Sequence, residues 1–336
     1  MSLIDFIASY NEDMRIKRIF QNIEKIYYPF LAAVSVPLNL LTIVILSRGK
    51  CGISKCVTRY LVAMATADLL VIILDLISRH FPIVYYEHFL FLMSIPVCNI
   101  HMALLYAATD CSVWFTVTFT FDRFVAICCH KLKTKFCTMK RATLVLATVT
   151  VLSCLKNIVW YFMYLGHYRL LNNPVFCAAD LTDSNSELWG TIEIIHYILT
   201  PCVPFVLILL LNALTVRHIL VASRARRRLQ GHSSGKSHRD SEMESRRKSI
   251  ILLFVISGNF ILLWSLFTAV SICNRMSELG YVIYRPYFVQ EMGFMLQLLS
   301  CCTNTGIYAV TQTKFREQLM NVVKYPFTLI VTFNKQ

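Results

Sequence analysis

Charge is scarce in this chain: Asp, Glu, Lys and Arg make up 15% of its 336 residues, against 56% for the apolar types. A soluble globular domain of ordinary composition is excluded by that balance, and most of the chain belongs in lipid. Strict apolar alternation is also missing, as in Ile250-Ile251-Leu252-Leu253-Phe254, which argues against a membrane β-barrel. Met1–Gln21 has mixed charge and no apolar core, so no cleavable leader is expected and the first apolar segment is expected to start insertion. There is no internal repeat of the kind many transporters carry. The histidines are scattered singly and no H-E-x-x-H spacing occurs, so an enzyme or a resident metal centre is not expected.

What is present is a series of apolar stretches. Hydrocarbon about 30 Å thick needs roughly 20 apolar residues per helix, and seven stretches qualify, at about 26–47, 58–80, 97–129, 142–165, 190–216, 249–273 and 287–310. Backbone amides in hydrocarbon must be paired within their own segment, so each stretch is expected to be a helix. The expected fold is therefore an all-α membrane protein, a seven-transmembrane helix bundle. Its domains are an N-terminal segment 1–25, a bundle 26–310 with a long connection 217–248, and a tail 311–336. Lys314-Phe315-Arg316-Glu317-Gln318-Leu319-Met320 in that tail is amphipathic and suits a short eighth helix lying on the membrane. The third stretch exceeds the minimum length and is expected to tilt and protrude.

Lys and Arg set the orientation. The connections 47–59, 123–141 and 217–248 with the tail hold 24 of them, against 8 on the other side. The N-terminus is thus expected outside, at the plasma membrane. The net charge of +14 reads as an inner rim facing anionic lipid, with no nucleic acid as partner. No Asn-x-Ser/Thr acceptor falls on the outer segments, since Asn185-Ser186-Glu187 fails the spacing, and glycosylation is not expected. In the connection 217–248, Arg224-Ala225-Arg226-Arg227-Arg228 can extend the fifth helix, whereas Gly231–Asp240 reads as a flexible linker.

Most of the 13 cysteines lie in apolar spans, where they act as small hydrophobes. Cys98 opens the third helix on the outer face and Cys177 lies in the outer connection, where an oxidising environment would let them join. The alternative is two separate thiols. Asp122-Arg123-Phe124 lies 25 residues after Cys98, about 37 Å along a helix, hence at the opposite face. Arg123 can pair with Asp122 in one state and release its guanidinium in another. The plainer alternative is a positive anchor at the inner rim.

Asp68 is a carboxylate near mid-bilayer and must face the bundle interior. Asn39, Ser112, Ser300 and Asn304 lie at comparable depth, and the group could hold a monovalent cation such as Na⁺. A protonated Asp68 in an ordinary hydrogen-bond network is the alternative. Trp264 lies too deep for an interfacial belt and shares a helix face with Phe260. Pro204, with Pro201, is expected to kink or bulge the fifth helix.

In this order and register the residues resemble the rhodopsin-like (class A) G-protein-coupled receptors over about 25–320. The resemblance rests on Asn39, the Leu61–Asp68 run, Cys98 with Cys177, Asp122-Arg123-Phe124, Pro204, Phe260 with Trp264, Asn304 with Tyr308, and Phe315. Pro204 followed by Asn212, together with Leu263-Trp264, is similar to an orphan branch linked to aromatic amino acids and peptides.

The resemblance implies an extracellular ligand, a heterotrimeric G protein entering beneath Arg123, and an outward displacement of the sixth helix. It assigns Asn304 and Tyr308 to the switch with the triplet, and Val113, Pro204, Phe260 and Trp264 to an aromatic rotamer switch. Leu105 stands where amine receptors carry Asp, which argues against biogenic amines. The outer half offers His101, Tyr106, Thr109, Asp110, Phe267, Thr268, Ser271, Gln290, Glu291 and Phe294 to a peptide or amino-acid-like ligand.

The chain departs from the family pattern at Phe124, at Ser265-Leu266 after Trp264, at Thr305 after Asn304, at Asn212, and in lacking a central Trp in the fourth helix. Arg246 stands where many members carry an acid facing the triplet arginine, so that lock is not expected to form. Constitutive or degenerate signalling is the alternative function; a transporter is a more distant one.

Overall fold

The computed structural model describes residues 3–80, 95–163, 186–229, 238–278 and 287–333. Among these residues all regular structure is helical, running α1 (Leu3–Ser47), α2 (Lys55–Val71) with a π-helical continuation Ile72–His80, α3 (Ile95–Cys128), α4 (His130–Phe136), α5 (Met139–Asn157), α6 (Val159–Met163), α7 (Ser186–Tyr197), a π-helical stretch Ile198–Cys202, α8 (Val203–Leu229), α9 (His238–Glu278), α10 (Tyr287–Thr311) and α11 (Thr313–Phe333). The seven spans are α1, α2 with its continuation, α3, α5 with α6, α7 with α8, α9 and α10.

Six of these helices are long and apolar enough to cross a membrane: Met14–Ser47, Lys55–Ser78, Val97–Cys128, Met139–Phe162, Leu188–Arg224 and Arg247–Asn274. The seventh, α10, is 25 residues long. Gln297, Ser300, Asn304 and Thr305 dilute its apolar run, and all four are buried inside the bundle. Lipid-facing leucines and valines cover the opposite surface of the spans, as at Leu155, Leu209 and Leu262. This inversion follows from the solvent: hydrocarbon tolerates exposed apolar side chains, so polar ones collect inside.

The third span sits centrally, with α2, α5, α8 and α9 packed around it. The sixth and seventh spans pack most closely on each other. Ser54 caps α2 by accepting the Val57 amide at 3.4 Å, and Thr138 caps α5 by accepting Arg141 N at 3.4 Å. Such caps satisfy amides that have no partner within the helix.

Three helices exceed their expected bounds. α1 starts at Leu3 instead of near 26, α9 starts at His238 and absorbs the end of the expected linker, and α11 runs to Phe333. Hydropathy reports only the part in hydrocarbon, and helical backbone continues beyond it, in α11 even past Pro326. The fifth helix does extend through Arg224–Arg228, as expected; 230–237 lie outside the described residues.

Pro204 is the second residue of α8, and the carbonyl that its missing amide would have bonded, four residues back, belongs to Thr200. The break lies at Thr200, whose backbone is extended (φ −151°, ψ 104°) within Ile198–Cys202, which contains Pro201. The residue before a proline is pushed out of the α region, which places the break one residue ahead of Pro201.

Candidate functional site

Near the C-terminal end of α3, Asp122 and Arg123 are both buried, at 6% and 7% exposure. Arg123 Nε donates to Asp122 Oδ2 at 3.0 Å and its Nη2 pairs with the same oxygen. Arg123 Nη1 also donates to Ser249 Oγ on the sixth span at 3.2 Å. An interhelical tie to α9 therefore exists where Arg246 led us to expect none. It is a neutral hydroxyl instead of a carboxylate, and hence a weaker hold on a cation than an ion pair.

Asp122 carries two thiols as well. Cys56 donates to its Oδ1 at 3.3 Å, and Cys137, on the connection after α4, donates to its backbone carbonyl at 3.6 Å. Burial, then the nearby Asp122 carboxylate, pushes Cys137 up to about 11, so it stays a protonated donor at neutral pH. One carboxylate oxygen of Asp122 is thus held by the Cys56 thiol and the other by Arg123, while Cys137 holds its backbone. Phe124 is half-buried.

In mid-span, Asp68 is 2% exposed. Ser112 donates to its Oδ1 at 2.6 Å and Asn304 Nδ2 to its Oδ2 at 2.7 Å, joining the second, third and seventh spans. Two of the expected cage residues turn elsewhere. Asn39 ties the first span to the seventh through Cys301 O at 2.9 Å. Ser300 accepts from Trp264 Nε1 at 3.0 Å and donates to Gln297 O at 2.6 Å. Through Ser300 the seventh span holds the tryptophan of the sixth.

Phe260 and Trp264 stack obliquely at 5.4 Å, with Phe205 5.3 Å from Phe260. Val113 and Ile208, both fully buried, complete this cluster. Tyr308 is fully buried lower in the seventh span, and its ring meets Phe315 of α11 edge-on at 5.9 Å. This contact seats the eighth helix against the bundle.

These positions coincide with a known family. The sequence model described as "7 transmembrane receptor (rhodopsin family)" matches residues 38–308, from just before Asn39 to Tyr308. The chain belongs to the rhodopsin family. It is thus a class A G-protein-coupled receptor, a multi-pass membrane protein and not an enzyme. A relative among characterised proteins is the cysteinyl leukotriene receptor 1 of Cavia porcellus, 21% identical over 290 residues that cover 82% of this chain and 77% of the relative.

The half of the bundle away from Arg123 separates the expected ligand residues into groups. Phe267 lies between Trp264 at 5.8 Å and Phe294 at 5.5 Å, directly above the aromatic switch. Thr268 spends its hydroxyl on Trp264 O at 2.8 Å, and Ser271 is buried one turn above it. Gln290 and Glu291 are half-buried near the start of α10, and Thr109 is half-buried on α3. Leu105 is buried, and His101 Nε2 lies 2.6 Å from Leu74 O on the second span.

Tyr106 and Asp110 turn toward the fourth and fifth spans. Tyr106 stacks on Trp160 at 4.4 Å and meets His196 edge-on at 4.9 Å. Asp110 pairs with Lys156 Nζ at 2.6 Å and accepts from Asn157 Nδ2 at 2.5 Å. Asn157, Trp160 and His196 were not singled out in the sequence, although one Asp and one Lys alone in two apolar spans are a signal that they meet. Cys98 is 1% exposed and is not among the free thiols of the described residues; Cys177 lies outside those residues.

Proposed function

We propose that this receptor binds an extracellular peptide or amino-acid-like ligand and activates a heterotrimeric G protein by outward displacement of its sixth span. The observation that supports this reading best is the guanidinium of Arg123, shared between Asp122 on its own helix and Ser249 on α9. Outward movement of α9 removes Ser249 and frees part of the guanidinium for a protein entering from the inner face. Phe267 and Phe294 form the floor of the ligand site, and pressure there is passed through Trp264 and Phe260 to the lower part of α9. A ligand acts only insofar as it binds the displaced arrangement better. The Cys98–Cys177 bridge would fix the outer connection over the mouth, with the N-terminus outside and Arg226–Arg228 and Arg246–Lys248 beside the G protein.

Because Ser249 offers a neutral acceptor, the resting state is only lightly held and basal activity is expected. The test is G-protein activation in cells at matched surface expression, without ligand. Arg123→Ala is expected to fall to the level of untransfected cells. Ser249→Ala, losing about 1 kcal/mol of a net hydrogen bond, is expected to rise about fivefold. Equal signals from all three receptors would overturn the assignment.

Na⁺ is proposed as an allosteric ion at Asp68. Its carboxylate and the adjoining Ser112 hydroxyl are oxygen ligands of the kind a hard cation takes. Asp68 would supply the charge and Ser112 the neighbouring oxygen.

A further inference from the structure

Lys156 and Asp110 are opposite charges facing each other in the outer half of the bundle. Lys156 is 17 residues beyond Met139, the first residue of α5, or about 26 Å up the span. Asp110 is 1% exposed, whereas the Lys156 side chain keeps 28%. The pair is built in on both sides. Asn157 holds Asp110 Oδ2, is anchored to Ser153 O at 2.8 Å, and accepts Trp160 Nε1 at 2.9 Å. Neutralising the carboxylate would need only one of these groups.

Lys156 does more than neutralise. Its ammonium also donates to Thr200 Oγ1 at 3.3 Å. Thr200 is the residue where the fifth span leaves helical geometry, and it is 3% exposed. Five residues further on, Phe205 lies against Phe260, followed by Ile208 in the same buried cluster as Val113 and Trp264. The ammonium therefore ties the third and fourth spans to the break that sets where α8 meets the aromatic switch.

We propose that Asp110, Lys156 and Thr200 form an interhelical lock that holds the bent fifth span in its resting seat. The proposal rests on the signalling function above, of which it is a further positioning element. The ammonium is held inside the bundle by Asp110, which is 1% exposed and would be left a buried unpaired charge if Lys156 departed. The lock is consequently either closed on Thr200 or open, as a switch requires. Arg123 meets a neutral serine on α9, and resting stability is supplied in part from this outer position. Lys156 and Thr200 act by positioning Phe205 and Ile208 and need not touch the ligand.

Thr200→Val tests this directly, since it removes the hydroxyl at nearly constant volume and leaves the ion pair intact. Basal G-protein activation at matched surface expression is expected to rise about threefold. Lys156→Met with Asp110→Asn, which leaves no unpaired charge, is expected to give a similar rise, and adding Thr200→Val to that double variant should change nothing further, because the same tie is already gone. Spin labels carried by unnatural amino acids at the lipid-facing Phe162 and Ile195 report the separation of the fourth and fifth spans independently of signalling. Both variants are expected to lengthen or broaden that distance.

Thr200→Val identical to the parent in distance and basal activity would overturn the lock, as would an effect that adds fully to that of the double variant. If the distances change while neither the parent nor any variant signals above Arg123→Ala, the lock stands and the G-protein reading falls.

Discussion

Gly293→Val is expected to separate the sixth and seventh spans and lower the melting temperature of the purified receptor more than a loss of one hydrogen bond would. A Cβ at Gly293 would lie 3.2 Å from Phe267 Cα and 3.3 Å from Phe267 N. Those are backbone atoms inside a helix and cannot turn aside as a side-chain tip can. Alanine requires a shift of a few tenths of an ångström, whereas valine adds two methyl groups with the same wall in front of them. Overpacking of this kind costs about 1–3 kcal/mol, with valine at the upper end. Phe267 also bridges Trp264 and Phe294, so the displacement reaches the ligand floor. Gly306→Val serves as the control, because nothing lies within 4 Å of its added Cβ. Thermal unfolding in detergent decides the matter: a Gly293→Val receptor melting with the parent would refute the close approach.

Asp68→Leu is expected to weaken the junction of the second, third and seventh spans. Leucine leaves the Ser112 hydroxyl and the Asn304 amide without the acceptors they reach at 2.6 and 2.7 Å. A stranded buried donor costs about 1–3 kcal/mol in soluble proteins. Hydrogen bonds between membrane helices average nearer 0.6 kcal/mol, because partners are also found in the unfolded state. A total of about 1–3 kcal/mol is therefore expected. Asp68→Asn keeps one acceptor oxygen and should lose less stability, yet it removes the charge. The proposed ion then separates the two variants from a merely structural carboxylate. Melting of the parent in NaCl is expected to exceed melting in N-methylglucamine chloride, as mass action requires for a ligand of the folded state. Asp68→Asn should melt alike in both salts. A sodium shift retained in Asp68→Asn would remove Na⁺ from this site.

Several parts of the receptor were legible before any coordinates. Span lengths follow from hydrocarbon thickness, so the apolar stretches fall on the long helices, although the first and fifth run well past them. Asp68 had to face inward, and it does. Phe260 with Trp264, one turn apart on one helix, was a local relation that helical period alone supplies, and the model bears it out at 5.4 Å. Tyr308 meets Phe315 across a single corner, a short-range contact that was not singled out in the sequence.

The interhelical partners were not legible in the same way. Ser249, the acceptor of Arg123 126 residues away, is in sequence an ordinary first residue of an apolar run, three positions after Arg246. Ser300 was placed with Asp68 by depth alone, but the rotation of α10 directs it at Trp264. Depth along the membrane normal is encoded in the count of residues; rotation about a helix axis is set by the neighbours.

The sequence by itself determined that seven helices cross a membrane, at which depth each polar residue lies, and that the chain carries the marks of the rhodopsin family. Hydrophobic length and position along a helix are one-dimensional quantities, and a linear code can state them. Only the tertiary structure decided that Lys156 reaches both Asp110 and Thr200, that the fifth span leaves helical geometry at Thr200, and that Arg123 is held by a serine. Each of these depends on how two or three helices are rotated against one another, which packing of all seven settles at once.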